Sequence, residues 1–174
     1  MKKIEIEIPE GKEVQWVGDT LKLVDIKKPI AERIKTFEDA CNELGRKHPF
    51  VEDYWKSDIS ISKDLIAYLK LRIIVAALNE GWQPKFEKNE YRYYPWFYIY
   101  TKEEYDKLDD EKKERCVLRS GSSALLSFGF VFVYAYSDAS GSYTFSGSRL
   151  VFKTKELAEY AGKQFIDLYA DFYL

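Results

Sequence analysis

Alternation of apolar and polar residues predicts strands in the first part of the chain. Apolar and charged residues alternate over Lys3–Ile8, a period of two that predicts a half-buried strand. Two further apolar runs between residues 14 and 23 are separated by Val17–Thr20, which contains the turn-forming pair Gly18 and Asp19. This arrangement predicts a β-hairpin.

Helical spacing takes over after residue 36. Thr36 is a good N-cap, and Gly45 stands where the helix is expected to end. A short second helix is predicted at Phe50–Trp55. The longest helix is predicted from Lys63 to Glu80, and its second half is apolar on nearly all sides. We therefore expect it to be the central buried element.

The segment Tyr91–Tyr100 is the most aromatic part of the chain, with seven aromatic residues in ten positions. As a strand, it places Trp96, Tyr98 and Tyr100 on one face. Pro95 cannot donate a hydrogen bond to a neighbouring strand, so it marks an edge, a bulge or a strand start. The capping box at Thr101–Glu104 then predicts a short, solvated helix.

The last third of the chain returns to strands before a final helix. Between Phe128 and Tyr136, aromatic residues alternate with small or aliphatic ones, and few polar residues occupy either face. This is the strongest strand signal in the sequence, and it predicts a central strand. Leu150 and Phe152 fit a further strand, and Thr154 caps a helix that runs to the end of the sequence.

The order of these elements, strands, helices, strands and one helix, predicts an α+β fold with a mostly antiparallel sheet and helices packed on one side. We expect a single domain over residues 1–174. The content of 46% hydrophobic and 32% charged residues is enough for a packed core and excludes general disorder. The longest apolar run, Ile73–Leu78, is too short to cross a bilayer, so no membrane partner is expected.

Charge and the N-terminal sequence narrow the function classes. The chain has 27 Lys and Arg against 29 Asp and Glu, a net charge of −2, which does not favour a nucleic-acid partner. A local basic patch formed by folding stays open as an alternative. The positive start of the sequence is followed by no apolar signal-peptide region, so a cytoplasmic location is expected.

Residues typical of catalysis are few. Cys41 and Cys116 are too sparse for a disulfide framework and are expected to be small buried hydrophobes. His48 is the sole histidine, and without a partner motif we expect an exposed, non-catalytic loop residue. The acidic run Asp109–Glu111 lacks metal-ligand spacing and is expected to be solvated.

Nucleotide and cofactor motifs are also lacking, since the sequence has no Walker A or G-x-G-x-x-G pattern. Ser-Gly-Ser occurs at residues 120–122, 140–142 and 146–148, as expected of turns between strands. The backbone of Ser120–Ser123 offers an alternative as an anion site. We therefore predict no catalytic residue, no metal ligand and no cofactor.

The aromatic segment supplies the candidate binding site. Tyrosine and tryptophan combine a large rigid contact area with a polar tip, and they dominate binding hot spots. The alternative is a sheet covered on both faces, with tyrosine hydroxyls reaching the rim. The predicted binding residues are Tyr91, Arg92, Tyr93, Tyr94, Trp96, Tyr98 and Tyr100.

Three stretches give the chain a resemblance to a known group: Arg33–Ala40, Tyr93–Phe97 and Leu157–Phe165. They resemble stretches of small prophage-type proteins of gut bacteria, a group without an established activity, and the resemblance spans most of the chain. It implies a protein carried by a phage or mobile element that acts inside the bacterial host or in particle assembly. It implies no site residue.

Three hypotheses follow. The first is a phage-associated, non-enzymatic protein that acts through a protein–protein interface or self-association. The second is a nucleic-acid-binding accessory protein, which would stack bases on the same aromatics beside Arg92. The third is a small enzyme whose carboxylates converge only in the folded chain.

Overall fold

The computed structural model describes residues 7–57, 60, 62–85, 87, 89–118, 127–138 and 148–174. Within these residues the strands and helices follow one another in the predicted order. The strands are β1 (Lys12–Val17), β2 (Thr20–Asp25), β3 (Arg92–Thr101) and β4 (Ser127–Asp138). The helices are α1 (Ile30–Arg33), α2 (Phe37–Leu44), α3 (Pro49–Lys56), α4 (Lys63–Leu78), α5 (Lys102–Asp106), α6 (Asp110–Glu114), α7 (Lys155–Gln164) and α8 (Ile166–Tyr173). The α+β fold is confirmed.

Both described sheets are antiparallel pairs. β1 pairs with β2, and β3 pairs with β4. Single bridges extend the second pair on both sides, from Tyr93 to Phe152 and from Val117 to Phe130. β4 therefore lies between β3 and the short segment around Val117, as the prediction of a central strand requires.

The helix starts predicted at Thr36 and Thr154 are confirmed by capping bonds. The Thr36 hydroxyl accepts from the Asp39 N–H at 3.1 Å, while the Asp39 carboxylate accepts from the Thr36 N–H at 2.9 Å. Thr154 caps α7 in a similar way, through a bond from the Leu157 N–H. Local sequence alone sets these boundaries, because each cap satisfies a backbone donor that the helix leaves unpaired.

The core lies between the β3–β4 sheet and α2. One face of the sheet packs on α7, α8 joins the sheet to α4, and α4 packs against α2 and α3 on its other side. The second half of α4 is buried on nearly all sides, as the side chains of five residues show: Leu71, Ile73, Ile74, Ala77 and Leu78. This burial makes α4 the central helix, as predicted. Fully burying one such aliphatic side chain contributes about 1.5–3 kcal/mol to the stability of the fold.

Glycine allows α7 to approach the sheet closely. A methyl group on Gly162 would lie 2.6 Å from Cε2 of Phe132 and 2.7 Å from Cβ of Pro95. Hydrogen bonds hold the same helix on its other side, where Tyr160 donates to the Ile34 carbonyl and Gln164 to the Lys35 carbonyl. The position of α7 against the sheet is therefore defined from two directions.

The C-terminal third of the chain departs from the predictions. The predicted single last helix is interrupted at Phe165, whose φ of −115° and ψ of 28° separate α7 from α8. The strand predicted at Leu150 and Phe152 is wrong, because Leu150 ends a short 3₁₀ turn and Phe152 makes only one bridge. The predicted strand Lys3–Ile8 and the Ser-Gly-Ser segments lie mostly or wholly outside the described residues.

The β1–β2 hairpin is confirmed, but its apolar face is open. Val17 pairs with Thr20, and the turn between them begins at Gly18, which has a φ of 63°. Trp16 and Leu21 lie opposite each other on one face, and 70% of the Trp16 surface is exposed. The hairpin thus carries an exposed aromatic side chain away from the core.

Candidate functional site

β3 separates the predicted site residues into two groups. Its odd-numbered residues face the helices: the Phe97 ring stacks on Phe130 at 4.5 Å and lies 4.9 Å from the ring of Tyr169. Its even-numbered residues lie on the opposite side of the sheet, because side chains alternate along a strand. Trp96, Tyr98 and Tyr100 share this outer side, as the sequence predicts.

Two tyrosines of β4 join them. Tyr134 pairs with Trp96 across the strands and stacks on its ring, with centroids 6.2 Å apart and planes 10° apart. Tyr136 lies 6.4 Å from the Trp96 ring. We call this surface the aromatic face and define it by five residues: Trp96, Tyr98, Tyr100, Tyr134 and Tyr136.

The aromatic face is open to solvent. Trp96 exposes 39% of its surface and Tyr134 exposes 44%, and Tyr98 and Tyr136 are similarly exposed. Each ring also touches a neighbour, since Tyr98 and Tyr100 lie 4.6 Å apart. The rings therefore hold one another in place while their outer surfaces stay accessible.

A β-bulge explains why sequence reasoning missed the two β4 tyrosines. Trp96 pairs with Tyr134, but the next residue of β3, Phe97, pairs with Phe132, so Val133 is an extra residue in β4. Phe130 and Phe132 before the bulge are buried, whereas Tyr134 and Tyr136 after it are exposed. The regular alternation in the sequence predicts all of these aromatics on one face, and that is wrong.

The other predicted binding residues lie elsewhere. Arg92 and Tyr94 are on the outer side of β3 but are buried, with 5% and 4% of their surfaces exposed. Tyr93 faces the opposite side, and its backbone pairs with Phe152. Tyr91 is exposed but precedes the strand. The structure therefore groups only three of the seven predicted residues on the open surface.

Helix α5 gives one end of the aromatic face a negative charge. The capping box of this helix fixes Glu104 through the Thr101 N–H at 2.9 Å, and these bonds lower the pKa of the Glu104 carboxyl. The Tyr98 hydroxyl donates to the same carboxylate at 3.4 Å. The nearby negative charge, followed by partial desolvation, raises the pKa of Tyr98.

Close packing shapes the same end of the surface. The Tyr105 and Tyr100 rings lie over Gly129, where a methyl group would come within 3.0 Å of Tyr105 Cδ2 and 3.3 Å of Tyr100 Cδ2. Glycine at this position lets both rings pack closely against β4. Tyr100 therefore forms the half-buried border of the aromatic face, and Trp96 and Tyr134 lie at its accessible centre.

His48 has a structural task. It is half-buried, which corrects the expectation of an exposed loop residue, and it is the N-cap of α3. Its Nδ1 accepts from the Phe50 N–H at 3.3 Å, and the two rings meet edge to face at 5.1 Å. An imidazole that accepts through Nδ1 carries its proton on Nε2, so this ring is a hydrogen-bond donor on its far side.

Both cysteines are half-buried, less enclosed than expected. Burial is the first cause that raises the pKa of Cys41 and of Cys116. Because the thiolate is the reactive form, we expect both native thiols to react with a disulfide reagent at pH 8 several-fold more slowly than in the unfolded chain. Stopped-flow thiol titration with and without denaturant measures this, and equal native and unfolded rates would contradict it.

Among the residues that the structure describes, no group of three or more His, Cys, Asp or Glu residues is arranged to hold a metal ion. Among the same residues, no helix combines the length and the apolar character that crossing a membrane requires. The candidate anion site at Ser120–Ser123 lies outside the residues described.

Comparisons of the chain with protein-family models, with curated proteins and with solved structures find no match.

Proposed function

We propose that this chain is a non-enzymatic binding protein whose aromatic face docks against another protein chain. The observation that carries the proposal is the exposure of Trp96 and Tyr134, stacked on each other at the centre of an open sheet surface. A contiguous apolar patch on a folded protein is typical of an interaction site. Tyrosine and tryptophan are also the residues most enriched at binding hot spots.

Charge favours a protein partner over a nucleic acid at this surface. Stacking of bases needs nearby cations to hold the phosphates, but Arg92 is buried. The Tyr98 hydroxyl instead donates to a carboxylate, that of Glu104, at 3.4 Å. The expected partner surface is apolar at its centre, with a positive charge that meets Glu104.

The proposed setting is the cytoplasm of a bacterium that carries the gene on a prophage. The resemblance of Arg33–Ala40, Tyr93–Phe97 and Leu157–Phe165 to prophage-type proteins supports it. In that setting the partner is either a second copy of the chain or another protein of the host or phage.

The test replaces the centre of the aromatic face. In a Trp96→Ala, Tyr134→Ala double variant, we expect self-association or partner binding to weaken at least tenfold, because loss of one hot-spot residue costs about 2 kcal/mol or more. Light scattering measures self-association. Quantitative affinity capture from the bacterial host, with each captured protein then purified and titrated, measures binding to other proteins.

Trp55→Ala is the matched control, since Trp55 is another largely exposed tryptophan but lies on α3, away from the sheet. It should bind as the unaltered chain does. Circular dichroism and thermal unfolding establish that all variants are folded. If the double variant binds every partner as tightly as the control does, the aromatic face is not the interface.

A further inference from the structure

A second open site lies away from the aromatic face, at the far end of α4. This cleft has a volume of about 530 Å³, within the range of small-molecule sites. It lies between the start of α3, the last turns of α4, the loop 81–84 and the 3₁₀ turn at Ser148–Leu150. The described residues that line it and carry polar or aromatic groups include His48, Phe50, Arg72, Trp82, Gln83 and Arg149.

The charged residues described in the cleft lining are both arginines, Arg72 and Arg149, and no Asp or Glu appears among the described lining residues. The chain as a whole has a net charge of −2, so this local excess of positive charge is not a reflection of composition. No described carboxylate lies within ion-pair distance of either guanidinium. The cleft is therefore electrostatically suited to an anion.

Two aromatic rings position the guanidinium of Arg72. Its guanidinium carbon lies 4.0 Å from the centre of the Phe50 ring and 5.9 Å from that of Tyr68. Stacking on a ring uses the face of the guanidinium and leaves the N–H groups along its edge free to donate. A planar, pre-oriented guanidinium of this kind matches the paired oxygens of a phosphate.

The rest of the lining suits a flat ring attached to that phosphate. Trp82 is half-buried in the lining, and an indole can stack on a flat ring. The Gln83 amide can donate and accept along a ring edge, and His48 adds the Nε2–H donor left by its capping bond.

A neighbouring cleft shows that this charge pattern is specific. The cleft on the other side of α3, between α2 and α3, contains Arg46 and Lys56 together with the carboxylates of Glu38 and Glu52. Lys56 is paired with Glu52 at 2.9 Å. Its cations are thus balanced within the cleft, whereas no acidic residue in the described lining of the other cleft balances Arg72 and Arg149.

We infer that the cleft at the end of α4 binds a phosphate group that carries a flat aromatic ring, as in a nucleotide. The phosphate lies against Arg72 and Arg149, and the ring lies against Trp82. A free nucleotide and the end of a single-stranded nucleic acid both supply this chemistry. Binding in this cleft is independent of the aromatic face.

Isothermal titration at low ionic strength tests the site with four probes: AMP, ribose 5-phosphate, adenosine and a twelve-residue oligo(dA). We expect AMP to bind more tightly than ribose 5-phosphate or adenosine, because only AMP carries both groups. Arg72→Gln and Arg149→Gln should each weaken AMP binding about tenfold, the usual effect of losing a hydrogen bond to a charged group. Arg149 is exposed, so its variant keeps the test valid even if Arg72→Gln disturbs folding.

Arg46→Gln is the matched control, since it removes one positive charge from the neighbouring cleft. Tighter binding of the oligonucleotide than of AMP, with the same sensitivity to Arg149→Gln, identifies a nucleic-acid strand as the source of the phosphate. The inference is overturned if no probe binds, or if Arg46→Gln weakens binding as much as Arg149→Gln does. The Trp96→Ala, Tyr134→Ala variant should bind AMP normally, which separates this result from the fate of the proposed protein interface.

Discussion

Gly162→Ala is expected to lower the free energy of unfolding by about 1–3 kcal/mol, the usual cost of overpacking a core. Alanine is the better helix former by roughly 1 kcal/mol, so the intrinsic preference of α7 favours the variant. The added methyl group, however, would lie 2.7 Å from Pro95 Cβ and 2.6 Å from Phe132 Cε2. Pro95 is fixed within β3, so α7 must move away from the sheet, and the clash outweighs the helix preference.

Urea unfolding followed by far-ultraviolet circular dichroism measures the change. A Phe132→Leu background is the informative control, because it removes the ring that the new methyl group meets, and the cost of Gly162→Ala should fall there. If Gly162→Ala stabilises the chain in both backgrounds, helix propensity dominates and the close approach of α7 to the sheet is not a constraint on this residue.

Asn79→Ala is expected to cost about 2–4 kcal/mol, since it leaves two backbone groups without their partner. Asn79 is buried at the end of α4. Its amide nitrogen donates to the Val151 carbonyl at 2.8 Å, and its oxygen accepts from the Lys153 N–H at 3.0 Å. One side chain therefore fastens α4 to the segment that leads into α7.

Asn42→Ala is the comparison for this change, since Asn42 is exposed on α2. Its effect should stay within about 0.5 kcal/mol, as for most surface substitutions. Denaturant unfolding of both variants, fitted with one common m value, gives the difference between their free energies of unfolding. Equal and small losses would mean that water replaces the Asn79 amide at little cost, and that the segment at Val151 is held by its apolar contacts alone.

The elements that the sequence predicts well are those whose signals are local. The hydroxyls of Thr36 and Thr154 each accept from the N–H of the third residue after them. The starts of α2 and α7 were therefore predictable from a few neighbouring residues. The break at Phe165 has no such signal: the apolar spacing continues through it, and Phe165 is itself buried. On the two sides of the break, α7 packs on the sheet and α8 packs on α4, and these neighbours are a property of the folded chain.

The candidate site was predictable to the extent that it follows one strand. Strand alternation alone puts Trp96, Tyr98 and Tyr100 together. The burial of Arg92 was not predictable, because it depends on what covers the outer side of β3. The cleft at the end of α4 escaped sequence reasoning for a similar reason: Arg72 and Arg149 are far apart in the chain, and only the folded chain brings both into the lining of one cleft.

The extra residue in β4 has a consequence for how this chain tolerates change. As the extra residue, Val133 reverses the side of the sheet to which the alternate side chains of β4 point. The aromatics before it face the interior, and those after it face the surface. Any side chain that a strand accepts should suit position 133, which is partly exposed. Deleting this residue would restore regular alternation along β4. Either Tyr134 and Tyr136 would then face the helices, or Phe130 and Phe132 would face water. At position 133, the presence of a residue therefore matters more than its identity.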